Sequence, residues 1–102
     1  MNPKFLLISD PQTPLIGTFT FGLVGQHKEL LTGYQKTHGG GWYHKDDIKK
    51  TMSLYGSSGD YGEPDFRFLD RIPAELKGYT FTYSEGWGDS GYELDTSDVE
   101  WV

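Results

Sequence analysis

Apolar and polar side chains alternate most clearly in two segments of the chain. In residues 15–24, Phe19, Phe21 and Leu23 alternate with polar or small residues, and in residues 79–84 three aromatic side chains alternate with threonines and a serine. A period of two places the apolar side chains on one face of a β-strand. We therefore predict a half-buried strand in each segment.

Other apolar runs predict shorter strands. Residues 5–8 are all apolar, which is typical of a strand buried on both faces. Asp46 and Asp47 separate two segments rich in aromatic and β-branched residues, and this arrangement predicts a hairpin. The remaining predicted strands are the two arms of this hairpin and two short C-terminal strands: residues 42–45, 50–55, 92–95 and 99–102.

One short helix is predicted over residues 64–72. Pro64 suits the first turn of a helix, and the acidic residues on either side of it suit the positive end of the helix dipole. Pro73 would end the helix. Three apolar residues would share its buried face: Phe66, Leu69 and Ile72.

Two segments between the strands are harder to interpret. In residues 27–37 the apolar positions have helical spacing, but Gly33 and the flanking turns favour a strand, so both alternatives stay open. The three consecutive glycines at 39–41 have no side chains to pack, and they predict a flexible hinge.

Composition supports a sheet-dominated domain. The chain has 102 residues, 14 of them glycine and 5 proline, and Ala74 is its single alanine. This length suits one domain over residues 1–102. We predict an α+β fold: a mostly antiparallel sheet of six to seven short strands, with the helix at 64–72 covering one face.

Charge is distributed unevenly along the chain. Residues 1–50 carry six basic and four acidic side chains, whereas residues 51–102 carry three basic and eleven acidic ones, and the net charge is -6. Nucleic-acid binding needs a cationic stripe, which this sequence lacks. We therefore expect no nucleic-acid partner. The negative electrostatic field of the chain is better suited to a basic protein, which we expect as the partner.

The absence of cysteine and the short apolar runs limit the kinds of site and the cell compartment that we expect. There is no cysteine, so neither a disulfide framework nor a thiolate metal site is expected. The apolar run at residues 5–8 is the longest in the chain and is far too short to span a membrane. We expect a cytoplasmic protein that does not interact with membranes.

Motifs for catalysis or cofactors are weak. The three histidines lack the spacing of a metal-ligand pair, although His44 with nearby carboxylates leaves a small histidine–carboxylate enzyme open.

Two glycine-containing motifs are also weak. The glycine-rich run at 56–62 carries acidic residues that would repel a phosphate. The tetrapeptide at 88–91 resembles the one around the serine of trypsin-like proteases, but the chain is too short for that fold. We assign no catalytic residue, metal or cofactor; calcium binding by the acidic loops stays open.

Aromatic side chains in glycine-rich loops are the best candidates for function. Tryptophan and tyrosine are frequent anchors of protein interfaces, and carboxylates beside them suit a basic partner. We predict a small acidic module, of the inhibitor or immunity type, that binds a basic protein. The alternative is a small-ligand domain that stacks a sugar or nucleotide base on Trp42 or Trp87. The predicted partner-binding residues are Trp42, Tyr43, Tyr61, Glu85, Trp87, Asp89, Tyr92 and Glu93.

Overall fold

The computed structural model describes residues 1–86 and 90–102. Short 3-10 turns lie at His27–Leu30, Phe66–Phe68 and Ala74–Leu76. The described residues form eight strands: Asn2–Ser9 (β1), Thr18–Val24 (β2), Lys36–Asp46 (β3), Thr51–Tyr55 (β4), Arg71–Ile72 (β5), Thr80–Ser84 (β6), Tyr92–Glu93 (β7) and Glu100–Trp101 (β8).

These strands form one curled, mixed sheet in the order β7-β6-β4-β3-β1-β2-β5-β8. The pairs β2–β5, β4–β6 and β5–β8 are parallel, and the other neighbours are antiparallel. The predicted α+β fold with a mostly antiparallel sheet is therefore wrong. Parallel pairs are joined by long crossovers, and the hydrophobic pattern of a strand does not show which distant strand it will pair with.

The predicted helix at 64–72 is also wrong. Only Phe66–Phe68 forms a 3-10 turn, and Arg71–Ile72 belongs to the sheet. The backbone N–H groups of Asp70 and Arg71 donate to the Gly17 carbonyl at 3.2 and 2.9 Å, so the residue just before β2 holds this segment in the sheet. The described residues contain no helix longer than four residues, and none that is long and apolar enough to cross a membrane.

Several predicted strands are confirmed. Residues 5–8 lie within β1 and are buried on both faces, since Phe5, Leu6 and Leu7 are completely inaccessible. The predicted hairpin is formed by β3 and β4, in which Trp42 pairs with Tyr55. The alternating segments at 15–24 and 79–84 contain β2 and β6.

The core lies on one face of the curled sheet and is rich in phenylalanine. The Phe19 ring stacks on Phe5 with ring centroids 5.4 Å apart, and it meets Phe81 edge-on at 5.5 Å. These three side chains come from β2, β1 and β6, so the contacts join the two halves of the sheet. Burial of each ring contributes about 1.5–3 kcal/mol to folding.

Glycines 39–41 do not form a hinge. All three are buried within β3, and a Cβ atom on any of them would overlap a neighbouring backbone oxygen. For Gly39 that oxygen belongs to Glu63, and for Gly40 it belongs to Phe5. The missing side chains therefore allow close backbone packing, which the prediction of a flexible hinge overlooked.

Residues 27–37 are mostly outside the sheet. A 3-10 turn at His27–Leu30 is followed by irregular chain, and only Lys36 and Thr37 belong to β3, so the preference for a strand was wrong for most of this segment. His27 is buried, and its Nε2 lies 2.9 Å from the Gly41 carbonyl oxygen. Its ring meets the Trp42 ring edge-on, with ring centroids 5.3 Å apart. These contacts attach the turn to β3.

Candidate functional site

An open cleft lies at the edge of the sheet where β4 and β6 end. Because these strands are parallel neighbours, their carboxyl ends come out side by side. Gly56 follows β4, and Glu85 follows β6. The edge strand β7 begins beside them, since Tyr92 pairs with Tyr83. The topology thus brings three separate segments of the chain to one place.

The cleft consists of two adjoining hollows of about 200 and 400 Å³. Glu63, Tyr83 and Glu85 line both of them, so the hollows are continuous. Gly56 and Ser57 complete the smaller hollow. The larger one is completed by Ser84, Ser90 and Tyr92.

Two tyrosines form the aromatic part of the cleft. Tyr83 is 5% exposed, and its hydroxyl donates a 2.7 Å hydrogen bond to the Gly56 carbonyl. Phe66 packs beneath it, with ring centroids 5.0 Å apart. Tyr92 is 59% exposed, and its ring lies 6.1 Å from Tyr83 at 68°. Tyr83 therefore forms a fixed floor, and the Tyr92 side chain is accessible beside it.

The two carboxylates of the cleft are unpaired within the described residues. Glu63 and Glu85 form no hydrogen bond or ion pair through their side chains there. Asp65, two residues after Glu63, is by contrast paired with Arg67 at 2.8 Å. No residue in the described part of the chain therefore competes with a ligand for these two carboxylates.

The negative charge of the cleft acts on the Tyr83 hydroxyl. Burial raises the pKa of Tyr83, and the nearby carboxylates of Glu63 and Glu85 raise it further because they disfavour a tyrosinate. Both carboxylates therefore lie close enough to affect one atom at the floor of the cleft. A cation placed there would be attracted by both.

Close packing on β3 positions the loop that carries Glu63. The Ser58 N–H donates to the Gly40 carbonyl at 2.8 Å, and the Asp65 N–H donates to the His38 carbonyl at 2.9 Å. Between these two points the Glu63 backbone rests directly on Gly39, which has a φ of +83°. The glycines of β3 thus determine where one cleft carboxylate stands.

The predicted partner-binding residues separate into groups. Glu85 and Tyr92 line the cleft, and Glu93 is exposed beside Tyr92 on β7. Tyr61 is half-buried in the loop that follows β4. Trp87 and Asp89 lie outside the described residues.

Two predicted residues lie on β3, with neighbours of their own. The half-buried Trp42 ring packs against His27 and lies 6.5 Å from the Tyr55 ring. Tyr43 is buried in the core, where it meets Phe21 edge-on at 5.4 Å. These two residues and the cleft therefore belong to different parts of the molecule, and we leave them out of the candidate site.

Sequence reasoning missed Glu63 and Tyr83 as residues of this site. Tyr83 was assigned only to the buried face of a strand, and Glu63 only to the start of a helix and an acidic loop. They meet because β4 pairs with β6 and because the loop after β4 folds onto Gly39. The only signal in the sequence was a glutamate that follows a glycine-rich run.

A serine–histidine pair also escaped sequence reasoning. The Ser9 hydroxyl lies 2.7 Å from His38 Nε2, and the His38 ring stacks on Phe68 at 3.7 Å. Burial lowers the pKa of His38, although the carboxylate of Asp65 partly opposes this. Ser9 is only 2% exposed, so a substrate could not reach its hydroxyl. We interpret the pair as a connection between β1 and β3.

The described residues contain no candidate metal site, and the histidine–carboxylate alternative stays a prediction. His44 is exposed on β3, and the other two histidines make the contacts described above. No group of three or more histidine, aspartate or glutamate side chains in residues 1–86 and 90–102 could hold a metal ion.

Comparison with known proteins adds no relative. No protein-family model, curated protein or solved structure matches this chain.

Proposed function

We propose that the protein is a small binding module for a basic protein, and that it holds this partner through the cleft between β4, β6 and β7. The observation that carries the proposal is a pair of carboxylates, Glu63 and Glu85, that have no partner among residues 1–86 and 90–102 and lie beside the exposed Tyr92. Aromatic anchors combined with charge suit protein recognition. Glu93 follows Tyr92 on β7 but lines neither hollow, so the proposal does not depend on it.

The alternative of a small-ligand site has less support. The Trp42 ring is engaged by His27 and Tyr55, and Trp87 lies outside the described residues. Stacking of a sugar or base on either tryptophan stays a prediction. We therefore base the proposed function on the cleft alone.

The proposal predicts that binding of a cationic peptide depends on the two cleft glutamates. The probe is a fluorescein-labelled octapeptide in which glycine alternates with arginine and lysine, and binding is measured by fluorescence anisotropy at low and moderate salt. We expect Glu63→Gln with Glu85→Gln to weaken binding about tenfold or more, because two attractive charges are lost. Both side chains are exposed, so the fold should persist.

Glu75→Gln provides the matched control. Glu75 is exposed, and its charge acts on Tyr79, just before β6 begins and at the opposite end of that strand from the cleft. Each cleft glutamate is also tested singly against it. An equal loss in Glu75→Gln and in either single cleft variant would mean that net charge alone attracts the peptide. Absence of binding by the unmodified protein would also contradict the proposal.

A further inference from the structure

We infer that the cleft receives the side chain of one arginine from the basic partner, and that it discriminates this side chain from lysine. This inference rests on the proposed function and deepens it. It depends on three features of the cleft: an exposed aromatic ring, two carboxylates that line both hollows, and partial enclosure.

The accessible ring of Tyr92 favours a planar cation. It lines the larger hollow and is 59% exposed, so a ligand in the hollow can contact the ring. A guanidinium group is planar and stacks on aromatic faces, whereas an ammonium is a compact point charge. The open ring thus contributes more to arginine binding than to lysine binding.

The arrangement of acceptors favours a cation with several donors. Glu63 and Glu85 line both hollows, and the hydroxyl-bearing residues Ser57 and Ser90 lie one in each hollow. A guanidinium has five N–H donors spread in one plane, and an ammonium has three on one atom. Because both carboxylates line both hollows, a guanidinium bound there offers them more donors, in more directions, than an ammonium does.

Partial enclosure of the ligand in the cleft also favours arginine over lysine. A cation that enters the hollow of about 400 Å³ loses part of its water shell. Arginine is more weakly hydrated than lysine, so it loses less on entry. Neither carboxylate has an ion pair with the described residues that arginine would have to displace.

The test compares three octapeptides that differ at one type of position. Glycine alternates with arginine in the first, with lysine in the second and with citrulline in the third, which keeps the shape of arginine without its charge. We expect the arginine peptide to bind about fivefold or more tightly than the lysine peptide at equal salt, and the citrulline peptide to lose most of this affinity.

Variants of the exposed tyrosines isolate the stacking contribution. Tyr92→Leu should reduce the preference for arginine over lysine, whereas Tyr34→Leu should leave it unchanged, because Tyr34 is 95% exposed and lines neither hollow. The reduced preference is a readout that a general loss of stability would not produce, since both peptides are measured on the same variant.

The outcomes separate this inference from the proposed function. Equal binding of the lysine and arginine peptides, with loss in the Glu63→Gln, Glu85→Gln protein, would overturn the arginine inference and leave the proposed function standing. An arginine preference that survives in Tyr92→Leu would overturn the stacking argument. Binding of neither cationic peptide would overturn both proposals.

Discussion

A single hydrogen bond dominates the acid–base behaviour of Tyr79. Its hydroxyl donates to the Asp47 carboxylate, and this bond, with smaller contributions from burial and nearby charge, raises the pKa of Tyr79 to about 12. Lys45 pairs with the same carboxylate at 3.2 Å. This contact joins the β3–β4 turn to the start of β6.

The first prediction at the residue scale concerns this bond. In Asp47→Asn we expect the pKa of Tyr79 to fall toward its ordinary value of about 10, because the hydrogen bond to an anion is lost. Ultraviolet absorption of tyrosinate, followed from neutral to alkaline pH, measures the shift. Tyr79→Phe identifies which transition belongs to this residue.

The raised pKa also has a consequence for stability. The folded protein holds the Tyr79 proton more tightly than the unfolded chain, so this contribution is complete below about pH 10 and is lost as the pH rises toward about 12. Urea unfolding over this range should show a steeper loss in the unmodified protein than in Asp47→Asn. Identical pH profiles of the two proteins would contradict the assignment.

At the scale of elements, the glycines around β3 determine the position of the cleft. Gly39 combines a positive φ with an overlap between any added Cβ and the Glu63 carbonyl. Gly62 has a positive φ of 83° but open space around it. Gly59 has open space and no positive φ. Replacing each of these three glycines would therefore distinguish the effect of backbone strain from that of steric overlap.

We predict a graded response when each of these glycines is replaced by alanine. Gly59→Ala should leave stability nearly unchanged, and Gly62→Ala should cost about 1–2 kcal/mol for a left-handed backbone. Gly39→Ala should cost more than either, and it should also weaken binding of the cationic peptide because Glu63 is displaced. Urea denaturation and the anisotropy assay check the two effects.

The order of the three variants is the decisive outcome. If Gly39→Ala were no less stable than Gly62→Ala, the loop would not pack on β3 as described. If Gly39→Ala bound the peptide as well as Gly59→Ala, the glycines would not position the cleft.

Alternation along the sequence predicted the strands better than their arrangement. β2 and β6 were foreseeable because their apolar side chains repeat with a period of two. The segment at 64–72 was not, because its threefold spacing also fits a 3-10 turn followed by a strand held by Gly17. That outcome depends on a hydrogen bond to a distant residue, which no local pattern contains.

The candidate site was predictable only in part, for the same reason. Glu85 and Tyr92 were identified because acidic and aromatic residues cluster near them in sequence. Glu63 and Tyr83 join them only after β4 pairs with β6 and the following loop packs on Gly39. Composition indicated the charge of the expected partner, whereas tertiary structure determined which residues share a cleft.

For the whole molecule, the two ends of β4 and β6 differ in charge: lysines mixed with Asp46 and Asp47 lie at one end, and the cleft glutamates lie at the other. Lys49 and Lys50 lie in the turn before β4, and Lys50 lies 5.0 Å from the Tyr79 ring centroid. Glu63 and Glu85 lie at the other end of these strands, since they line the hollows where β4 and β6 end. Five strand residues span roughly 16 Å, about two Debye lengths at physiological salt, so the two ends act nearly independently on a partner.

The most direct test of this account is a nuclear magnetic resonance titration of the ¹⁵N-labelled protein with the glycine–arginine octapeptide. We predict that the backbone amide shifts concentrate at Gly56, Ser57, Glu85 and Tyr92, whereas those of Lys49 and Lys50 stay unchanged. Shifts centred on the lysine-bearing turn, or spread evenly over the surface, would contradict the claim that the cleft is the binding site.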